Sequence, residues 1–285
     1  MDLLLVWPLL LTTIVASPQS ITSYHEDTIS CGVNPPTSLA ETLLRPPLIE
    51  SLPDLPNGLI VNVHLTTVSQ DDKTKVPRAI IDKQMNVIND AFAPHNISFK
   101  LLKHSPVVSA DFSQPKGNDI YGKIVPALHS GNWETLNLVF LPNVQRNNAF
   151  LGVCNFPNIY GNSPLKQDGC VIDLDTLPGL YKPGADQQNR GVHPAKMFGK
   201  SAVHEIGHWF GLMHVFFPDN AYTCDDPHGD WVDDTPVQKG PSWGCPAKGS
   251  RDSCPGKEGL DAVSNYMDYV ADQWSVLRSS MLCRG

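Results

Sequence analysis

The stretch His204-Glu205-Ile206-Gly207-His208-Trp209-Phe210-Gly211-Leu212-Met213-His214 reads H-E-x-x-H-x-x-G-x-x-H, and each fixed position has its own chemical task. On a helix, residues four apart lie one turn above one another. The imidazoles of His204 and His208 therefore face the same way and can share one metal ion. Glu205 projects beside them, where a carboxylate can take a proton from metal-bound water. Gly211 lets the chain leave the helix, because glycine tolerates left-handed dihedrals. The chain can then swing His214 back as a third ligand. Three neutral nitrogens with one open position are the donor set of a catalytic zinc site, whereas structural sites close all four positions. H-E-x-x-H alone also occurs among ordinary core histidines. The glycine and the third histidine at the required offsets separate this chain from that background.

A second signal stands far downstream, in Asn265-Tyr266-Met267-Asp268-Tyr269. In zinc peptidases with the elongated motif, a later turn places a methionine beneath the three histidines. Met267 is the candidate, since a thioether packs well as an apolar floor. Tyr269 could aim its hydroxyl at the open side of the metal and hold a developing oxyanion.

These two motifs together resemble the metzincins. The flanking residues are similar to the pappalysin family, and especially to its secreted fungal-type metalloproteases. The resemblance is carried by Ser201–Leu212, Gly229-Asp230-Trp231-Val232-Asp233-Asp234-Thr235-Pro236, Arg251–Gly256 and Asn265–Tyr269. Leu151-Gly152-Val153-Cys154 and Gly169-Cys170-Val171-Ile172 extend it upstream, so that it covers residues 31–270. It implies an endopeptidase, with one zinc ion per chain, acting on extracellular proteins. The motif spacing by itself implies only a hydrolytic metal site.

Composition agrees with a secreted enzyme. The chain has 285 residues, is 41% hydrophobic and 18% charged, and can bury a proper core. A net charge of −8 argues against a nucleic-acid partner, which wants a basic face. Twenty-five prolines and 21 glycines predict long, loop-rich connections. Leu3 to Ala16 is apolar but short for a bilayer, and small residues follow at Ala16 and Ser17. Residues 1–17 are read as a signal peptide, 18–56 as a leader or short pro-segment, and 57–285 as the catalytic domain. The usual basic residue before the apolar stretch is missing, with Asp2 in its place. No later segment is long and apolar enough to span a membrane, and the protein is expected to be a monomer.

Seven cysteines also fit an oxidising compartment. The family resemblance implies the pairs Cys154–Cys170 and Cys224–Cys254. In the family Cys245 pairs with a cysteine just after the methionine turn, but Val270-Ala271-Asp272-Gln273-Trp274 holds none, which leaves Cys283. The family's terminal helix is also lacking in Ser275 to Gly285, so this end reads as truncated or altered. Cys31 stays open between a latency switch, whose thiolate occupies the open metal position, and an ordinary disulfide or free thiol.

Hydrophobic periodicity predicts strands over Leu59–Val68, Ile97–Leu102, Leu136–Leu141, Leu151–Asn155 and Cys170–Leu174. It predicts helices over Ala79–Phe92 and Ile120–Leu128, and a site-bearing helix over about 196–211. This order makes an α/β (α+β) sheet lobe followed by an irregular lobe. The resemblance implies a metzincin-like catalytic domain, with a twisted mixed sheet and helices in the N-terminal lobe and the methionine turn in the C-terminal lobe. It also implies a metzincin cleft between the lobes, with an edge strand near Leu151–Asn155 available to pair with an extended substrate. Two weaker signals complete the reading. Asp225, Asp226, Asp230, Asp233 and Asp234 could ligate calcium or form a solvated acidic loop. Asn96-Ile97-Ser98 is an N-glycosylation sequon. Two other functional classes remain: a catalytically impaired zinc-binding decoy, suggested by the unusual ending, and a non-peptidase zinc hydrolase.

Overall fold

The structure, a computed structural model, describes residues 58–272 except 117, 145–149, 157–163, 181–196, 217–223, 226–228, 231, 245 and 271. The expected signal peptide and leader, Cys31, Cys245, Cys283 and the chain's last residues lie outside the described residues.

Five strands form one sheet: β1 (Leu59–Ser69), β2 (Ile97–Val108), β3 (Thr135–Leu141), β4 (Gly152–Cys154) and β5 (Cys170–Asp173). Their order is β2-β1-β3-β5-β4. β1 runs parallel to β2 and β3, and β3 parallel to β5. Only β4 is antiparallel, paired with β5 as an edge strand. The mixed sheet expected from the sequence is therefore present, with four parallel strands and one reversed edge.

β3 shows why a central strand reads as an unbroken apolar run. All seven of its residues are buried. Successive side chains point to opposite faces. Leu136, Leu138 and Phe140 enter the larger core, together with Ile80, Ile81, Met85 and Ile88 of helix α1 (Arg78–Phe92). Val139 and Leu141 enter a second core on the other face, with Ile120, Ile124 and Val125. Val125 opens the short helix α2 (Val125–Leu128), which follows a π-helical turn at Ile120–Ile124. The predicted helix over Ile120–Leu128 thus starts with a wider turn.

Two other boundaries move. β2 was expected to end at Leu102 but continues to Val108. Its pairing with β1 shifts by one residue at Leu102, a bulge that leaves this side chain half-exposed, and it then accepts Pro106. An edge strand tolerates both, since one side of its backbone needs no partner. The site helix, α3, spans Lys200–Trp209 and not 196–211. Gly199 before it has a φ of 83°, outside helical space, and Gly211 after it has a φ of 95°. α3 lies against the same sheet face as α1, with Ala202, Val203 and Ile206 in the larger core.

After α3 the chain is irregular. Among the described residues its ordered pairings are three isolated bridges: Phe216 with Gln238, Gly244 with Val270, and Pro255 with Lys257.

Candidate metal centre

The end of α3 sets the first two histidines and releases the third. The amide of Gly211 donates to the His208 carbonyl at 2.8 Å, and that of Leu212 to the Gly207 carbonyl at 2.9 Å. This pair of bonds around a left-handed glycine is the Schellman end of a helix. It also serves the site, because the Leu212 carbonyl then lies 2.8 Å from Nδ1 of His208. The Tyr266 carbonyl does the same for Nδ1 of His204 at 2.7 Å. A carbonyl can only accept, so both rings carry their proton on Nδ1 and present a bare Nε2.

Those nitrogens converge with that of His214. The Nε2 atoms lie 3.2 Å apart for His204 and His214, 3.2 Å for His208 and His204, and 3.1 Å for His208 and His214. Three nitrogens at tetrahedral corners, each about 2.05 Å from a zinc ion, would stand about 3.3 Å apart. The donor set therefore fits a tetrahedral ion. Among the described residues, no other group of histidines, cysteines and carboxylates is close enough to hold a metal. All three rings are buried. Burial, with smaller help from the neighbouring rings, drives His208 down to about 3 and His214 well below its ordinary value. Burial likewise drives His204 down to about 4, against the bond to Tyr266. The neutral, ligating form is favoured.

Glu205 lies 2% exposed beside this trio. A Cβ placed on Gly152 would fall 2.6 Å from both Cγ and Oε1 of Glu205. The edge strand β4 thus comes against the carboxylate, and glycine is the residue that leaves it room. Cys154 and Cys170 face each other across β4 and β5 and form a disulfide, as the resemblance implied. Cys224 and Cys254 form the second expected pair.

The Asn265–Tyr269 segment passes under the helix. Met267 is 4% exposed and packs with Val215 and Phe216, and its Sδ occupies the space a side chain at Gly207 would need. The Asn265 side chain accepts from the Met267 amide at 2.9 Å and so fixes the turn. The Tyr269 ring stands 4.9 Å from that of His214 and 5.8 Å from that of His204. The rings of Phe216 and Phe156 back the histidines, stacked on His214 at 4.9 Å and tilted over His208 at 5.3 Å.

The acidic loop behaves differently from the calcium expectation. Asp225 pairs with Lys257 at 3.2 Å, while Asp230 turns inward and accepts from the Val232 amide at 3.0 Å. Burial pushes the Asp230 carboxyl up to about 6. Asp233 and Asp234 are exposed, Asp226 lies outside the described residues, and no convergent carboxylate cage forms among those described. Asn96 is exposed, in a left-handed conformation just before β2.

Sequence reasoning missed the closeness of Gly152 to Glu205, the ring packing of Phe156 and Phe216, and a buried polar net behind Met267. Asp268 accepts from the Ser242 amide at 2.8 Å, from Gln238 Nε2 at 3.0 Å and from the Tyr269 amide at 2.8 Å. Arg251 closes the net with a 2.6 Å bond to Asp261 and a 3.0 Å bond to Ser242. Most partners in this net lie far apart in sequence, and no local signal marks them.

Known proteins agree with this site. The peptidase family described as pregnancy-associated plasma protein-A matches residues 192–279, which contain all three histidines. An extracellular metalloprotease of Arthroderma otae is 33% identical over 250 residues, covering 85% of this chain and 83% of that protein. The chain belongs to this metalloprotease family. Other members include an extracellular metalloprotease of Arthroderma benhamiae, 36% identical over 75% of this chain, and one of Pyricularia oryzae, 39% identical over 68% of it. The chain spans 66% and 60% of the length of those two relatives. The fold is also that of Tannerella forsythia mirolysin. The promirolysin structure matches with a TM-score of 0.62 at 22% identity, over 86% of this chain and 88% of that one. Mature mirolysin with a cleaved peptide matches with a TM-score of 0.57 at 24% identity, over 75% and 85%. The family implies zinc, and the three-histidine cluster suits it.

Proposed function

We propose that this family member is an exported zinc endopeptidase that hydrolyses peptide bonds of extracellular proteins. The observation that carries the reading is the convergence of three neutral Nε2 atoms beside a buried Glu205. His204, His208 and His214 would hold the ion. Zinc, when bound, lowers the pKa of a coordinated water and polarises a carbonyl. Glu205 takes the proton of the attacking water on its carboxylate and then delivers it to the departing amine nitrogen. Tyr269 steadies the negative oxygen of the tetrahedral species. Met267 serves as the floor of the histidine cluster. β4, as an edge strand, pairs main chain to main chain with the extended substrate, so affinity needs little side-chain recognition.

Export rests on the apolar N-terminus, the two disulfides and the relatives' description as extracellular. Among the described residues, no helix is long and apolar enough to cross a membrane. Protein nutrition or degradation of host protein is the role proposed, with Asn96 as a glycosylation site. A decoy that only binds zinc would need no carboxylate beside the ligands.

The test is casein cleavage by the secreted protein. Cleavage should stop with o-phenanthroline and return on adding zinc. Cleavage that survives complete metal removal would refute the proposal.

A further inference from the structure

The first turn of α3 has no cap of its own. The residue before the helix is Gly199, which has no side chain to accept from the amides that a helix start leaves unpaired. The acceptor comes instead from 72 residues further along the chain. Oδ2 of Asp272 takes the Phe198 amide at 2.8 Å and the Lys200 amide at 3.1 Å. From the opposite side, the fully buried Gln84 of α1 donates Nε2 to the Gly199 carbonyl at 2.8 Å. A Cβ on Gly199 would fall 2.6 Å from Gln84 Oε1, so this turn has little room to move.

The segment that supplies Asp272 also holds the helix one turn later. The Tyr266 carbonyl bonds His204 Nδ1, and Nζ of Lys200 lies 5.5 Å over the Tyr266 ring. Tyr266 and Asp272 therefore grip α3 at two points, its first metal-facing histidine and its first amides. Met267, next to Tyr266, meets the helix at a third point beyond His204, under Gly207. Two attachments on one short segment fix both the height and the rotation of the helix relative to it, which a single one could not do.

We propose that Asp272 is a positioning residue, a helix cap supplied across the chain that sets the aim of His204 Nε2 toward the metal. The proposal rests on the zinc-centre reading above. Burial pushes the Asp272 carboxyl above its ordinary range, against the two amides and Lys200, which favour its charged form. The feature the helix start uses is an acceptor oxygen. An asparagine keeps that oxygen and an alanine does not.

The experiment uses the full chain loaded with zinc. It measures zinc affinity by chelator competition, the visible spectrum of the cobalt-substituted protein, and kcat and KM on one peptide. Asp272→Ala should bind zinc about tenfold more weakly, the scale on which partners behind metal ligands act. Its cobalt spectrum should shift, and kcat should fall more than KM rises. Asp272→Asn should stay close to the parent in all of these. Parent-like zinc affinity and kcat in Asp272→Ala, whatever its thermal stability, would overturn the proposal, as would an Asp272→Asn variant impaired as far as alanine. Should alanine fail to fold, amide exchange in the parent decides. The Phe198 and Lys200 amides should be protected with the body of α3, and rapid exchange at both refutes the cap. A parent that cleaves casein and binds zinc while Asp272→Ala does so equally well sinks this inference alone. A parent that takes up no zinc removes the zinc-centre reading and this one with it.

Discussion

Leu138 and Gln238 are both sealed from solvent, at 0% and 1% exposure, yet they hold their surroundings in different ways. Leu138 lies in the middle of β3, in a core shared with apolar side chains of α1, α3 and its two neighbouring strands, β1 and β5. Gln238 donates to the Gly240 carbonyl, Ser242 and Asp268, and accepts from the Ala262 amide. The first region is stabilised by area removed from water, a non-directional effect. The second has one small apolar cluster among its described residues and relies on directed bonds. Directed bonds fix positions, and their loss leaves buried donors unpaired. The metal centre sits where the two regions meet. α3 brings His204, Glu205 and His208 from the packed side, and the turn at Met267 supports them from the bonded side.

This contrast can be broken or sharpened by mutation. Phe140→Ala, in the packed core, should cost about 4 kcal/mol of unfolding free energy. The folded fraction should keep its zinc and its kcat. Urea denaturation alongside active-site titration checks this, and a folded variant with much reduced kcat would blur the contrast. Asp268→Ala should cost less, about 2 kcal/mol, because it strands amides of Ser242 and Tyr269 and the Gln238 side chain. Its activity should fall out of proportion to its stability, since Asp268 follows Met267 directly. Equal stability and activity losses in these two variants would show that the bonded region has no special hold on the site. Gly152→Ala should change stability least, by about 1 kcal/mol, the low end for a methyl forced against packed atoms. Yet its methyl would collide with the Glu205 side chain, and kcat should drop between about 10- and 100-fold. An unchanged kcat would mean that Glu205 can move aside without loss.

The same contrast explains what was legible in the sequence. Apolar patterns report burial against water, so β1 and α1 could be read from Val61, Val63, Leu65, Ile81 and Ile88, and β3 from its run Leu136–Leu141, while the mixed strand directions came from the family resemblance. The metal motif was legible because its ligands lie within eleven consecutive residues. β2 was read short because Lys103, His104 and Pro106 break the apolar pattern, although an edge strand accepts them. The net around Asp268 and the cap from Asp272 were not legible. Their partners are polar side chains and backbone amides, most of them tens of positions away, and no local period marks such pairs. Gly152 was quoted as part of a family motif, but its closeness to Glu205 exists only once β4 lies against α3.

The central claim is that the three histidines hold zinc while Glu205 moves the proton. Measuring zinc content and peptide turnover together in the Glu205→Ala variant tests it most directly. The account predicts one zinc per chain, as in the parent, with nearly all turnover lost. Turnover at the parent's rate in a zinc-loaded Glu205→Ala protein would contradict it.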